Sequence, residues 1–480
     1  MKPILLLPGI LAFLSAAAAA AASPPNVVFI CTDQQRIDDL SAAGNPYVKT
    51  PALDALAARG VRFTRSYCSQ PLCSPSRATH VSSRMPYEIG INGNSLRLPE
   101  SLPTLGTLFK AAGYRTAWTG KWHLPSSYPT QPDEIPGFEI LPGNGGADAA
   151  APLKGKAKRS AGKQGKSAGD EEGGRGAQAD PPAVKAALRF IQQKPAQPFL
   201  LVVSLLNPHD ICGFNQNTPA KLALPTDPSR LPPAPLNVNA LDRGPQSGNR
   251  APGSTGGKQN SGVEWNDLTW RQQLYHYYQL TEQADKLIGS VVDALRQAGV
   301  EDNTLILFTS DHGEMAGAHH RIRKMSLYEE AMAVPFIVAG PGVPRGVVDQ
   351  THMVSGLDVL PTLCDFAGIA APPQARGSSV RPIMNNPGAP WRDAVFGALG
   401  ATGGRMIRTT QYKYNLYAAN QEELFDLQAD PGEMKNLVGD PALTGVLEAN
   451  RQRLREWMTT TGDTFDKSDA TAPRRGGKKK

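Results

Sequence analysis

Thr304-Leu305-Ile306-Leu307-Phe308-Thr309-Ser310-Asp311-His312-Gly313-Glu314 is an unbroken apolar run that ends abruptly in polar groups. A run without polar alternation fits a strand buried on both faces, as in a parallel sheet covered by helices. Asn26 to Ile30, Phe199 to Ser204 and Val334 to Val338 have the same character. Between them lie stretches with helical spacing: one from Thr50, with Pro51 at its first position and Gly60 just past its end, then Pro182 to Gln193 and Trp270 to Gly299. The Tyr and Leu pattern of the last reads as core packing. The alternation predicts an α/β fold with a mostly parallel central sheet flanked by helices.

Ligands of such sheets bind beyond the carboxyl ends of the strands, and three of the runs end there in chemistry: Cys31-Thr32-Asp33-Gln34, Leu206-Asn207-Pro208-His209-Asp210 and Thr309-Ser310-Asp311-His312. Any one of these is an ordinary turn or helix cap; three together point to one shared site. Asp33 and Asp311 offer carboxylates, Gln34 an amide oxygen and His312 an imidazole, a set able to hold a hard divalent cation facing an anionic substrate. The spacing matches no short metal motif.

Pro71-Leu72-Cys73-Ser74-Pro75-Ser76-Arg77-Ala78 is the most specific stretch. It resembles the Cys-x-Pro-Ser-Arg signature of the type I sulfatases, in which the cysteine is oxidised to formylglycine after translation. Further matches follow in order: Gly120-Lys121-Trp122-His123, Asn207-Pro208-His209, Ser310 to Glu314 with Lys324, Val334-Pro335-Phe336, and Glu423 to Leu427 with Asp430 to Glu433 and Asn436-Leu437. The resemblance implies an alkaline phosphatase-like fold with a smaller C-terminal α+β subdomain, to which Arg405 to Arg408 and Tyr412 to Leu416 would give strands. It divides the chain into a catalytic domain over 23–375, with insertions at 143–180 and 232–262, a subdomain over 376–466 and a basic tail over 467–480.

The same resemblance implies roles. Asp33, Gln34, Asp311 and His312, with the modified Cys73, would ligate Ca²⁺, with Mn²⁺ or Mg²⁺ as alternatives. A hydroxyl of the Cys73 aldehyde hydrate would attack sulfur, Arg77 would hold the hydrate, Lys121 and Lys324 would grip sulfate oxygens, His209 would serve the leaving oxygen, and His123 would take the proton of the second hydroxyl. Alone, either lysine reads as solvated and His209 as a loop histidine. Departures exist: Gln34 and His312 stand where many members have aspartate and asparagine, a combination also similar to phosphonate monoester hydrolases and choline-sulfatase-like members. Ser82-Ser83 replaces the usual Thr-Gly before Arg84, and His80 stands where an apolar residue is common. The implied activity is hydrolysis of a sulfate ester, on a sulfated carbohydrate, after maturation by a formylglycine-generating enzyme. Phosphonate monoester or phosphodiester hydrolysis is the nearest rival, and a catalytically silent sulfoglycan-binding protein is a rival of another class.

Composition bounds the rest. With 480 residues, 40% hydrophobic and 19% charged, the chain is neither a disordered polymer nor a membrane bundle. Lys2, the apolar run Ile4 to Leu14 and the alanines to Ala22 read as a signal peptide over 1–22, too short in its apolar part for a span of about 20 residues; a secreted or periplasmic location follows, with no stable membrane span. Five cysteines are too few for a disulfide scaffold. Cys68 and Cys73 are candidates for a bridge, whereas Cys31, Cys212 and Cys364 read as small buried residues. His319 and His320 read as surface loop. The net charge of +7 resides in the tail (Arg474, Arg475, Lys478, Lys479, Lys480) and in the Gly143 to Asp180 segment, leaving the remainder close to neutral. Those segments could tether the protein to polyanions, and no nucleic-acid partner is expected.

Overall fold

The computed structural model describes residues 24–94, 96–124, 134–141, 176–215, 223–240 and 265–465. The expected signal peptide, the tail from 467 and most of both insertions lie outside these residues. An eight-stranded sheet forms the centre, in the spatial order Glu139–Ile140, Arg115–Gly120, Phe199–Pro208, Asn26–Asp33, Thr304–Ser310, Phe336–Ala339, Gly60–Phe63, Val347–Asp349.

The apolar runs lack alternation because both faces of the sheet are covered. Val27, Phe29, Leu200, Val202, Leu305 and Leu307 pack to one side, with residues of the helices Cys73–Ser82 and Val359–Phe366. Val28, Ile30, Leu201, Val203, Ile306 and Phe308 pack to the other, with the helices Pro51–Ala58, Gly176–Gln192 and Asp267–Gln297. Burial of both sets removes enough apolar surface from water to dominate the folding free energy.

One strand runs against the others, within the mostly parallel sheet expected. Phe336–Ala339 runs antiparallel to Thr304–Ser310, pairing Ile306 with Ala339 and Thr309 with Phe336. The chain from Asp311 to Pro335 stays at the carboxyl edge of the sheet and contains just a 3-10 turn, Ala318–His320, and the short helix Glu329–Met332. Without a crossover helix to return it to the opposite edge, the next strand can only run back. The sheet is therefore mostly rather than wholly parallel.

The described residues of two stretches read as loose are ordered. The helix expected from Pro182 begins at Gly176, because Asp210 accepts the N–H groups of Gly176 and Ala177 at 2.8–3.1 Å and so caps it ahead of the prolines. In the second stretch Asn237 is buried and donates from Nδ2 to Glu330 (2.9 Å) and to the Gly432 carbonyl (3.1 Å). His319 is also not surface loop: its ring stacks on Tyr328 at 3.7 Å and is buried, while His320 is half-buried against Trp270. All five cysteines are free; Cys68 faces the Ala331 carbonyl and Met332, so no bridge to Cys73 forms.

Toward the C-terminus, Ala394–Ala398, Gly404–Thr409, Tyr412–Tyr417 and Glu422–Asp426 form an antiparallel sheet in sequence order, covered by the helix Thr444–Thr460 through Leu447 and Leu454. Arg405 to Arg408 and Tyr412 to Leu416 lie in its strands, as expected. Among the described residues no helix is long and apolar enough to cross a membrane.

Gly120 ends its strand at φ +88°, and a Cβ there would lie 1.8 Å from the Ser204 carbonyl oxygen. Gly120→Ala is expected to lower unfolding stability by more than about 2 kcal/mol in a denaturant titration.

Candidate active site

The carboxyl ends of the central strands converge on the start of the helix Cys73–Ser82. Asp33 closes the strand Asn26–Asp33, Asp311 and His312 follow Ser310, Lys121 follows Gly120, and His209 follows Pro208. Leu72 is extended before the helix, so Cys73 stands at its first position and Arg77 one turn inward.

Arg77 lies beneath the pocket. Its Nη2 donates to Asp33 (2.9 Å), its Nε to Asp311 (2.9 Å), and its Nη1 to the Ser204 hydroxyl (2.6 Å) and the Lys121 carbonyl (3.0 Å). The guanidinium thus goes to the carboxylates and the strand ends, with no hydrogen bond to Cys73. Asp33 also pairs with Lys121 Nζ at 2.7 Å. Burial alone would raise the Asp33 pKa, but Lys121, His209, Arg77 and Lys324 hold it well below the usual carboxylate range.

Cys73 Sγ sits above this floor, 3.3 Å from His312 Nε2, 3.2 Å from Lys324 Nζ and 3.7 Å from Asp33 Oδ1. Burial and Asp33 push its pKa up, yet Lys121, Lys324 and His312 prevail and hold the thiol well below its ordinary value. His123 and His209 also lie beside Cys73. Burial lowers both imidazole pKa values, assisted by Lys121 at His123 and by Lys324 at His209.

The donors Asp33, Cys73, Asp311 and His312 lie within 4.8 Å of one another. His312 Nδ1–H donates to the Gly313 carbonyl (2.9 Å), which turns the Nε2 lone pair toward the pocket, as a metal-ligating imidazole requires. The Asp311 carboxyl, despite Arg77, is pushed up to about 7 by burial and by Asp33. The two carboxylates repel each other, which helps keep Asp311 high, and a divalent cation shared between them would relieve that repulsion. Gln34, at φ +73°, donates its backbone N–H to Asp311 (3.1 Å), and its Oε1 accepts from Lys324 Nζ (2.7 Å), so its oxygen faces the same pocket. Every residue expected at the site is therefore gathered in one place.

Several contributors were not singled out by the sequence. Tyr277, read as core, is buried but donates from its hydroxyl to the Gln34 carbonyl (2.6 Å). Buried Asp180 accepts the N–H groups of Leu206 (2.7 Å) and Asn207 (2.9 Å), fixing the chain that leads into His209. Cys212, half-buried, lies 3.3 Å from Gln34 Nε2. Glu314 was visible only as the last residue of the Ser310 to Glu314 motif.

The sequence pattern described as Sulfatase matches residues 25–369, and that of the N-sulphoglucosamine sulphohydrolase C-terminal region matches 317–460. A Δ4,5-hexuronate-2-O-sulfatase from Bacteroides thetaiotaomicron is 30% identical, over 92% of this chain and 90% of the relative. An ulvan-active sulfatase from Formosa agariphila is 30% identical, over 93% and 83%. A solved 2-O GAG sulfatase superposes with a TM-score of 0.74 at 28% identity, covering 92% of this chain and 93% of that one.

Removing Arg77 would leave two buried carboxylates without their shared cation. Arg77→Leu is expected to lower the stability of the metal-free protein by about 3–5 kcal/mol in chemical denaturation.

Proposed function

The chain belongs to the sulfatase family of sulfuric ester hydrolases, and from that premise we propose that it cleaves sulfate from a sulfated carbohydrate, using Cys73 after conversion to formylglycine. The observation that carries the reading is the placement of Cys73 Sγ among His312, Lys324 and Asp33. The 2-O-sulfated uronate end of a polysaccharide fragment is the first candidate substrate, supported by the likeness, over nine-tenths of the chain, to a hexuronate-2-O-sulfatase. The reading includes export, which rests on the Lys2 to Ala22 pattern alone.

Conversion by a formylglycine-generating enzyme, which would use an external oxidant and remove the sulfur, makes Cβ of residue 73 an aldehyde carbon, and addition of water then puts two hydroxyls on it. A divalent cation, Ca²⁺ by the predominance of oxygen donors, would be held by Asp33, Gln34, Asp311 and His312 with the modified Cys73, and supplies charge neutralisation and hydroxyl acidification. Asp311 would accept the proton of the attacking hydroxyl. Lys121 and Lys324 bind sulfate oxygens and cancel their charge. Arg77 acts below them, holding Asp33 and Asp311 in place. His209, likewise held toward its neutral form, would serve the leaving oxygen by hydrogen bonding to it or by passing on a proton from the Lys324 ammonium beside it. His123 is kept neutral by burial and by Lys121, the state required to take the proton of the second hydroxyl. Collapse to the aldehyde then expels sulfate without water attacking sulfur.

Sulfate release from an unsaturated 2-O-sulfated uronide disaccharide is expected to exceed, in kcat/KM, release from an aryl sulfate or turnover of a phosphonate monoester. Preference for the phosphonate would contradict the reading, as would saturable glycan binding without sulfate release. His209→Ala should cost about 100-fold or more on the sugar sulfate but less than about tenfold on nitrophenyl sulfate, whose leaving group departs unprotonated.

A further inference from the structure

We infer that Glu314 is a positioning residue that fixes which way the Gln34 amide faces, and so makes position 34 present an oxygen rather than an NH₂ group to the cation pocket. The inference rests on the metal reading given above.

The Gln34 backbone is held on both sides, its N–H by Asp311 and its carbonyl by the Tyr277 hydroxyl. The amide retains one freedom, exchange of Oε1 and Nε2 by rotation, which changes no volume and only the pattern of donors and acceptors. Cys212 Sγ lies within 3.5 Å of both amide atoms and favours neither orientation, but two charged neighbours read the pattern. Nε2 donates to Glu314 Oε2, and Oε1 accepts from Lys324 Nζ at 2.7 Å. Lys324 Nζ also lies 3.2 Å from Cys73 Sγ, so the oxygen is on the side where the cation ligands gather.

Glu314 is fully buried, and as an ionised carboxylate it can only accept. Its other oxygen accepts the backbone N–H groups of Ala316 (3.0 Å) and Arg323 (2.5 Å). Turning the amide over would set oxygen against the carboxylate and NH₂ against the ammonium of Lys324, two losses at once. The negative charge behind the amide also polarises Gln34 so that its oxygen becomes a better ligand, as outer carboxylates do for ligating histidines. A neutral ligand at 34 thus works with a carboxylate one residue further out. The same Glu314 holds the chain at Arg323, next to Lys324, so ligand and lysine share one anchor.

Glu314→Gln separates orientation from folding. Its amide oxygen can still accept from Ala316 and Arg323, while its NH₂ faces Gln34. No orientation of Gln34 then satisfies both neighbours. Calorimetric titration of the metal-stripped protein with Ca²⁺ is expected to show binding about 10- to 100-fold weaker than in the unaltered protein, with the thermal midpoint of the metal-free form unchanged. Adding Gln34→Glu to Glu314→Gln gives a carboxylate that accepts from the new NH₂ and turns its second oxygen to the pocket; most of the lost affinity should return. Affinity in Glu314→Gln within about twofold of the unaltered protein would overturn the inference, and so would a double variant no better than the single one. If the unaltered protein binds neither Ca²⁺, Mg²⁺ nor Mn²⁺, the metal reading itself fails and this inference falls with it.

Discussion

The guanidinium of Arg77 is the interaction on which the site depends. Its contacts reach four adjacent strands, at Asp33, Asp311 and the Lys121 carbonyl at or just past their carboxyl ends and at Ser204 within the fourth. Two carboxylates with no solvent access would otherwise repel each other or take up a proton. A planar cation with donors in a fixed fork binds both at once and offsets part of their repulsion, which a lysine with one point charge could not do. Arg77 is one helical turn from Cys73, so the pairing that stabilises the aspartates also sets where the reactive side chain stands above them.

A second charged cluster supports the loop that carries His312 and Lys324. Buried Lys413, from the C-terminal sheet, pairs with Glu433 (2.8 Å) and Glu329 (3.1 Å), and Tyr67 donates to Glu329 (3.1 Å). Asn237 joins Glu330 to Gly432. The neighbouring carbonyls then hold the ligand loop, since Gly313 N–H donates to Ala331 and Glu314 N–H to Glu330, each at 2.9 Å. Gly313 allows this approach, because a Cβ there would lie 2.0 Å from the Glu330 oxygen. Such buried ionic groups are a weak source of net stability but tolerate few alternative arrangements. The antiparallel sheet thereby acts on the active site without supplying a residue to it.

The parts legible in the sequence were those governed by short-range pattern. Runs such as Val27 to Ile30 declare burial on two faces, and a polar break at a strand end marks where ligands gather. The ordered motifs around Cys73, Lys121, His209 and His312 located every candidate at the pocket. What stayed hidden depends on partners far apart in the chain. The direction of Phe336–Ala339 is set by where the preceding loop emerges, not by its own residues. His319 looks solvated until Tyr328 is placed against its ring. Asp180 falls at the edge of a low-complexity stretch, and only the fold shows its carboxylate holding Leu206 and Asn207. Glu314 was in view but had no role until Gln34, far away in sequence, was placed beside it.

The central claim is that Cys73, converted to an aldehyde, is the nucleophile at this cation-lined pocket. Mass spectrometry of the peptide spanning Cys73, combined with sulfate release from the same preparation, tests it most directly. The account predicts an aldehyde at position 73 in protein produced with a formylglycine-generating enzyme, and activity that scales with the converted fraction. Sulfate release at an undiminished rate from protein whose Cys73 is wholly thiol would contradict it.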